Sequence, residues 1–308
     1  MAEEPFRINA KDFQEPLWKL AETMVQKAFR EGPAHISAPA YVGQDIALIF
    51  RYVISIYNLL FYLNADERRR DDVYWNTRYG VTAMSLVRSL IDCLYNVTAI
   101  LENPAERGPA YRKSGIKKTL ADLDEDHSKY AGQAKWEEYI RPRRNAVERL
   151  MRASGFTIDE IINQNWWPTL TQYLVAKAGG RVVSANQDFL RTFTLRHWRE
   201  YSALSHGDYE GFMGFLGPIS AGTYYVSDLM PHDERPKIDA SYDAFLTLHI
   251  GRAALVLLCM ISELQAHCRF CGADINERIC KLWDALMPLL EAKEGKYILD
   301  IPQTKAHT

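Results

Sequence analysis

The chain has 308 residues, of which 47% are hydrophobic and 25% are charged, and its formal net charge is -2. This length allows one large domain or two ordinary ones, with a core that needs no disulfide or metal to hold it. The near-neutral charge argues against a broad basic surface, and therefore against non-specific binding to long nucleic acids.

The first residues, MAEEPFRINAKDF, are acidic and have neither the basic nor the apolar segment of a signal peptide. The most apolar run, from Tyr41 to Leu63, is interrupted by Asp45 and Arg51, so we expect a core helix rather than a membrane-spanning one. Five cysteines, an odd number without an export signal, suit a reducing compartment. The sequence therefore predicts a cytoplasmic protein with free thiols and no membrane segment.

Helical periodicity dominates the chain from its first residues to its last. Strand signals are few and short, at residues 181–183, 223–229 and 296–301, and they predict extended segments or a marginal hairpin. The predicted helices cover residues 10–31, 46–63, 73–103, 110–130, 134–154 with a break near Pro142, a short piece within 163–180, and then 185–206, 242–268 and 275–291.

The predicted fold class is all-α, a helical bundle in one domain that spans residues 1–308. Within it, N-terminal helices (1–64) precede a core (65–291) that contains an irregular region at 214–236, and a C-terminal tail (292–308) follows. No repeat period, low-complexity segment or Gly/Ser-rich linker divides the chain.

The segment from Ala185 to His206 is a predicted helix that ends at Gly207, a residue suited to a left-handed cap. His206, in the last turn, would feel the negative end of the helix dipole, which favours its protonated form. An imidazole that moves a proton, and a guanidinium that neutralises a phosphate, are groups that RNA cleavage uses. At about 100° per residue, one face carries Leu190, Phe193, His197, Tyr201 and Leu204, and the opposite face carries Thr192, Leu195, Arg199, Ser202 and His206.

Arg199 to His206 fits R-x6-H, the longest form of the R-x(4–6)-H motif of the HEPN superfamily. The sequence also resembles a HEPN-related bacterial family of unknown function, over about residues 76–260. That family shows an arginine–acid pair on an early helix and a YxxLSxxxH-like segment later. The matching stretches here are RSLIDCLYNV, with Arg88 and Asp92, and YSALSHGDYEG, with Tyr201, Ser205 and His206.

HEPN proteins are helical and commonly dimeric, and many are metal-independent endoribonucleases of toxin–antitoxin and phage-defence systems. The resemblance thus implies a HEPN-like core, a homodimer, an RNA substrate, no cofactor, and an antitoxin or other protein partner. It implies that His206 is the general acid/base and that Arg199 binds phosphate. It also implies supporting or binding positions for Arg88, Asp92, Tyr201, Ser202 and Ser205.

Two alternatives remain open from the residues themselves. Arg88 and Asp92, spaced i, i+4 in an apolar run, form either a structural ion pair or the border of the pocket that contains His206. Glu200 directly follows Arg199 and would repel a phosphate. This acid favours a second interpretation, a catalytically silent helical module that binds a partner protein or a nucleotide through the same face.

The stretch HCRFCGADINERIC offers His267, Cys268, Cys271 and Cys280. Zinc needs four converging ligands, usually from two paired knuckles, and the second knuckle is missing. We therefore expect small buried apolar cysteines and predict no metal, while a structural zinc-bearing interaction protein is a third interpretation.

Overall fold

The computed structural model describes residues 6–65, 73–176, 190, 198, 201, 202, 235–291 and 297–300. Within these ranges the protein is all-α, as the sequence predicts, with one short pair of strands, β1 (Phe6–Asn9) and β2 (Tyr297–Asp300). The helices are α1 (Ala10–Arg30), α2 (Gly32–His35), α3 (Ala40–Ala65), α4 (Val73–Glu102), α5 (Pro104–Lys129), α6 (Ala134–Ser154), α7 (Ile158–Ile162), α8 (Leu170–Ala176), α9 (Arg235–Cys268) and α10 (Ala273–Glu291).

Several helices are longer than their sequence patterns predict. α5 begins at Pro104, where the missing N–H would have had no partner inside the helix anyway. α9 begins at Arg235, so the last residues of the predicted irregular region are helical. The predicted break of α6 near Pro142 is wrong, because the helix continues through this residue. Pro142 lies on an exposed side, where water can bind the carbonyl that loses its N–H partner.

β1 and β2 are parallel, with Phe6 opposite Tyr297 and Asn9 opposite Asp300. The predicted extended segment at 296–301 thus contains a strand, whereas those at 181–183 and 223–229 lie outside the described residues. Parallel strands need a crossover connection, and here almost the whole chain lies between the two.

The centre of the bundle is the pair formed by α4 and α9, which pack against each other along much of their length. α1 and α3 pack together and against this pair, and α10 contacts α1 and α9. Removing this apolar surface from water is the main force that holds the bundle together. The buried side chains at the centre include Val87, Leu90, Ile91 and Leu94 of α4, and Ala253, Ala254, Leu257, Leu258 and Ile261 of α9.

An outer layer of α5, α6 and α7 has a small apolar core of its own, formed by Ile116, Leu123, Ile140, Val147 and Ile161. A buried ion pair ties this layer to the bundle. Arg112 of α5 donates from Nε and Nη2 to the carboxylate of Asp45 on α3, at 2.9 and 2.7 Å. Burial raises the pKa of Asp45, and the Arg112 guanidinium opposes this shift. The bidentate geometry is the strong form of such a pair.

By length and composition alone, three helical stretches in the described part of the chain could cross a membrane: Ala40–Phe61, Ala83–Glu102 and His249–Cys268. The share of each stretch that is buried inside the protein rises from 56% for the first to 89% for the third. Packing within the bundle thus covers most of the apolar surface of the third stretch. The absence of a membrane segment stays a prediction.

Two glycines of α5 should respond in opposite ways to the same substitution. A Cβ at Gly108 would lie 2.5 Å from Cγ2 of Val42, whereas a Cβ at Gly115 would meet nothing within 4 Å. We expect Gly115→Ala to raise the free energy of unfolding by about 0.5–1 kcal/mol, through helix propensity. Gly108→Ala should lower it by about 1–3 kcal/mol, because α3 and α5 must move apart. Urea midpoints at constant m-value measure both changes, and stabilisation by both variants would contradict this packing.

Candidate functional site

A stripe of polar side chains runs along one side of α4, among positions that are otherwise apolar. Its members are half-buried, while most of their neighbours on the helix are fully buried. Their spacing follows the helical repeat, so they share one face. We call this face the polar stripe; it consists of Ser85, Arg88, Ser89, Asp92 and Asn96.

The middle of the polar stripe holds the predicted arginine–acid pair. Nε of Arg88 lies 3.9 Å from Oδ2 of Asp92, so the pair forms a long ion pair. Trp198 contacts both residues: its indole N–H donates to Oδ1 of Asp92 at 3.1 Å, and the Arg88 guanidinium lies over its ring at 5.3 Å. Burial raises the pKa of Asp92, while the Trp198 hydrogen bond and the Arg88 charge oppose the shift. Whether this pair also borders a pocket with His206 stays a prediction.

Tyr201 lies three positions after Trp198, and it is held by α9 instead of α4. Its side chain is fully buried, and its hydroxyl accepts a hydrogen bond from Nη1 of Arg252 at 2.6 Å. The same hydroxyl lies 2.9 Å from Nδ1 of His249, in a second hydrogen bond. His249 and Arg252 are themselves buried. A buried guanidinium needs polar partners, and Tyr201 supplies one of them.

The predicted site residues divide between described and undescribed parts of the chain. Arg88, Asp92, Tyr201 and Ser202 are described, whereas Arg199, Ser205 and His206 lie outside the described residues. Leu190 and Tyr201, both assigned by sequence to the packed face, are fully buried, and Ser202 of the opposite face is half-buried. The structure therefore brings Arg88 and Asp92 to Trp198, and brings Tyr201 to α9.

Three residues of this region were not predicted from the sequence: Trp198, His249 and Arg252. The sequence does contain an indication of His249 and Arg252, because these two polar residues are spaced i, i+3 among the apolar residues of α9. Polar side chains on one face of a buried helix require partners from another element. Their partner is far along the chain, and the sequence pattern does not identify it.

The far end of the polar stripe meets the loop between α7 and α8. The indole N–H of Trp167 donates to Oδ1 of Asn96 at 2.9 Å, and the Trp167 backbone N–H donates to Oγ of Ser114 at 2.7 Å. The hydroxyl of Tyr95 donates to the carbonyl of Pro168. A second tryptophan thus binds the same face of α4, one helical turn beyond Asp92.

No group of three or more His, Cys, Asp or Glu side chains that could hold a metal ion occurs among the described residues. Cys268 is buried, and burial raises the pKa of its thiol to about 12. Cys271 and Cys280 are exposed, so the expectation of buried cysteines is wrong for these two. The thiol of Cys268, which burial keeps protonated, is a poor metal ligand, since metals bind the thiolate.

Loss of the Tyr201 hydroxyl should destabilise the protein. In Tyr201→Phe, Nη1 of Arg252 loses a buried acceptor, so we expect the free energy of unfolding to fall by about 1–3 kcal/mol. Tyr139→Phe is the matched control, because Tyr139 is exposed and the loss of its hydroxyl should leave the urea midpoint unchanged. Equal midpoints for Tyr201→Phe and the wild type would show that this hydrogen bond contributes nothing to stability.

Comparison with known proteins adds no relative: no family model, no curated protein and no solved structure matches the chain. The resemblance to HEPN proteins therefore rests on the residues quoted from this sequence.

Proposed function

We propose that the chain is a metal-independent endoribonuclease with a HEPN-like core, in which Arg199 binds the scissile phosphate and His206 transfers protons. One observation carries this proposal: Trp198 and Tyr201, on either side of Arg199 in the sequence, are held by side chains of α4 and α9. Catalytic groups depend on being held in a fixed geometry. These two anchors would hold the segment that carries Arg199 and His206.

The proposed reaction uses the nucleophile that RNA itself provides, the 2′-hydroxyl beside each phosphate. His206 would take the 2′ proton as this oxygen attacks phosphorus, and the bond from phosphorus to the 5′ oxygen would break. The departing 5′ oxygen would accept a proton from the protonated imidazole. Arg199 would neutralise charge on the phosphate oxygens. The products would be a 2′,3′-cyclic phosphate and a 5′-hydroxyl, with no water or metal consumed.

The residues around the polar stripe would support this chemistry in different ways. Arg88 lies over the Trp198 ring and would add positive potential beside Arg199. Asp92 accepts the Trp198 indole hydrogen bond and would fix the orientation of that ring. Tyr201 would be a positioning residue, because its hydroxyl is buried against α9. Ser202 and Ser205 would offer hydroxyls to the substrate.

The biological setting follows the same proposal. We propose a cytoplasmic homodimer in which two copies of the segment form a composite site, acting in phage defence or in a toxin–antitoxin system. An antitoxin or another protein would then bind the face that carries Arg199 and His206 and would block access of RNA.

A second candidate function is a non-catalytic module that binds a partner protein or a nucleotide through the same face. It is favoured by the charges around this face. Glu200 is adjacent to Arg199, and the carboxylate of Asp92 compensates Arg88 within the polar stripe. Both features reduce the positive potential that a phosphate needs.

If the chain is this ribonuclease, we expect it to cleave single-stranded RNA in EDTA and to leave a DNA of the same sequence uncleaved. Arg199→Ala should lower the cleavage rate by about 10²-fold, through loss of phosphate stabilisation. Arg199→Lys should retain part of the activity, because it keeps the charge without the bidentate geometry.

Arg51→Ala is the matched control, because Arg51 is an exposed arginine of α3 and its loss should leave the rate unchanged. An RNA with one 2′-deoxy nucleotide should resist cleavage only at that position. Equal rates for Arg199→Ala and Arg51→Ala, or cleavage at the deoxy position, would contradict the proposal.

A further inference from the structure

A cleft of about 470 Å³ opens between α3, α5, α6 and the loop before α8, and none of its lining residues belongs to the polar stripe. This volume is in the range of small-molecule sites, about 300–1,000 Å³. The walls are mainly apolar, and they include Leu48 of α3, Tyr111 and Ile116 of α5, Val147 and Leu150 of α6, and Trp166.

Large apolar side chains stand exposed around this cleft. Leu48 is 60% exposed, Trp166 57% and Leu150 41%, although each comes from a different element. Single exposed apolar residues are ordinary on protein surfaces, but several that converge on one concave site mark a binding surface. An apolar body seated in the cleft would remove all three side chains from water.

Gly115 keeps part of the cleft open. It lies inside α5, lines the cleft, and has nothing within 4 Å of the position of a Cβ. Gly108 on the same helix is different, because Val42 fills the space beside it. Glycine weakens a helix interior, and no neighbouring atom of the described chain requires it at position 115. The free volume there is available to a bound molecule.

Among the charged residues that line the cleft, Lys118 carries a positive charge that no other lining residue neutralises. Asp45 and Arg112 line its floor and neutralise each other through their bidentate ion pair. Lys118 is exposed on the rim, and no carboxylate in the described part of the chain lies within ion-pair distance of its ammonium group. Asp122, one turn further along α5, forms no ion pair with it. An anion would complement this rim.

The lysines next to Lys118 are already engaged. Lys113 forms an ion pair with Glu160 at 3.1 Å. Lys117 donates to the carbonyls of Ile162 and Gln164, at 2.7 and 2.8 Å. The anionic group is therefore expected at Lys118.

We propose that this cleft binds an amphipathic anion, whose apolar body lies against Leu48, Leu150 and Trp166 and whose carboxylate meets Lys118. A medium-chain acyl carboxylate has this chemistry. The site is independent of the proposed ribonuclease activity, because it shares no residue with the segment that carries Arg199 and His206.

Isothermal titration of the full chain with decanoate, below its micelle concentration, tests the proposal. We expect saturable binding to the wild type, and weaker binding of decylamine, whose charge is repelled by Lys118. Gly115→Leu should weaken decanoate binding at least about tenfold by filling the cleft. Gly115→Ala, the matched control, should stay close to the wild type. Lys118→Gln should weaken binding about twofold to fivefold, as expected for an exposed ion pair.

Several outcomes would overturn the proposal. One is the absence of decanoate binding to the wild type, and another is equal affinity for decanoate and decylamine. If Gly115→Leu binds decanoate as tightly as the wild type does, the ligand does not lie in the cleft. If Lys118→Gln binds decanoate with unchanged affinity, the carboxylate of the ligand does not contact Lys118. Circular dichroism and the urea midpoint of each variant confirm that a loss of binding reflects the cleft rather than unfolding.

Discussion

The hydrogen bond from Arg252 to the buried hydroxyl of Tyr201 is the interaction on which the arrangement of the candidate site depends. A guanidinium taken out of water into an apolar interface costs several kcal/mol unless polar partners replace the water. Tyr201 is one of those partners, and His249 binds the same hydroxyl. Tyr201 is thereby tied to α9, while Trp198 is tied to α4. The central helix pair and the candidate site are stabilised by the same contacts.

Much of this fold follows from helical periodicity, because amphipathic helices bury their apolar positions whichever neighbour they meet. Leu17, Leu20 and Met24 of α1 are buried as their spacing predicts. The β1–β2 pair is not predictable in this way, since the partners lie at opposite ends of the chain. The i, i+4 spacing of Arg88 and Asp92 predicts their ion pair, because it is local. The contacts of Trp198, Tyr201 and Arg252 are not local, so no spacing rule predicts them.

The bundle and the outer layer carry different kinds of surface. Two tryptophans donate to the polar stripe of α4: Trp198 to Asp92 in its middle, and Trp167 to Asn96 at its far end. Trp167, the second of these, also lines the cleft of the outer layer. The buried pair of Asp45 and Arg112 joins that layer to α3. The chain thus has a polar face on α4 and a mainly apolar cleft in the outer layer.

Cleavage of a mixed RNA pool in EDTA, by the wild type and by His206→Ala, tests whether the segment that contains Trp198 and Tyr201 is catalytic. We expect cleavage by the wild type, and a rate lowered by about 10²–10⁴-fold in the variant, the range for loss of a general acid/base. The helical circular dichroism spectrum should be unchanged. Equal rates for the two proteins, or no cleavage by the wild type, would contradict a catalytic role for this segment and leave Trp198 and Tyr201 with a packing role alone.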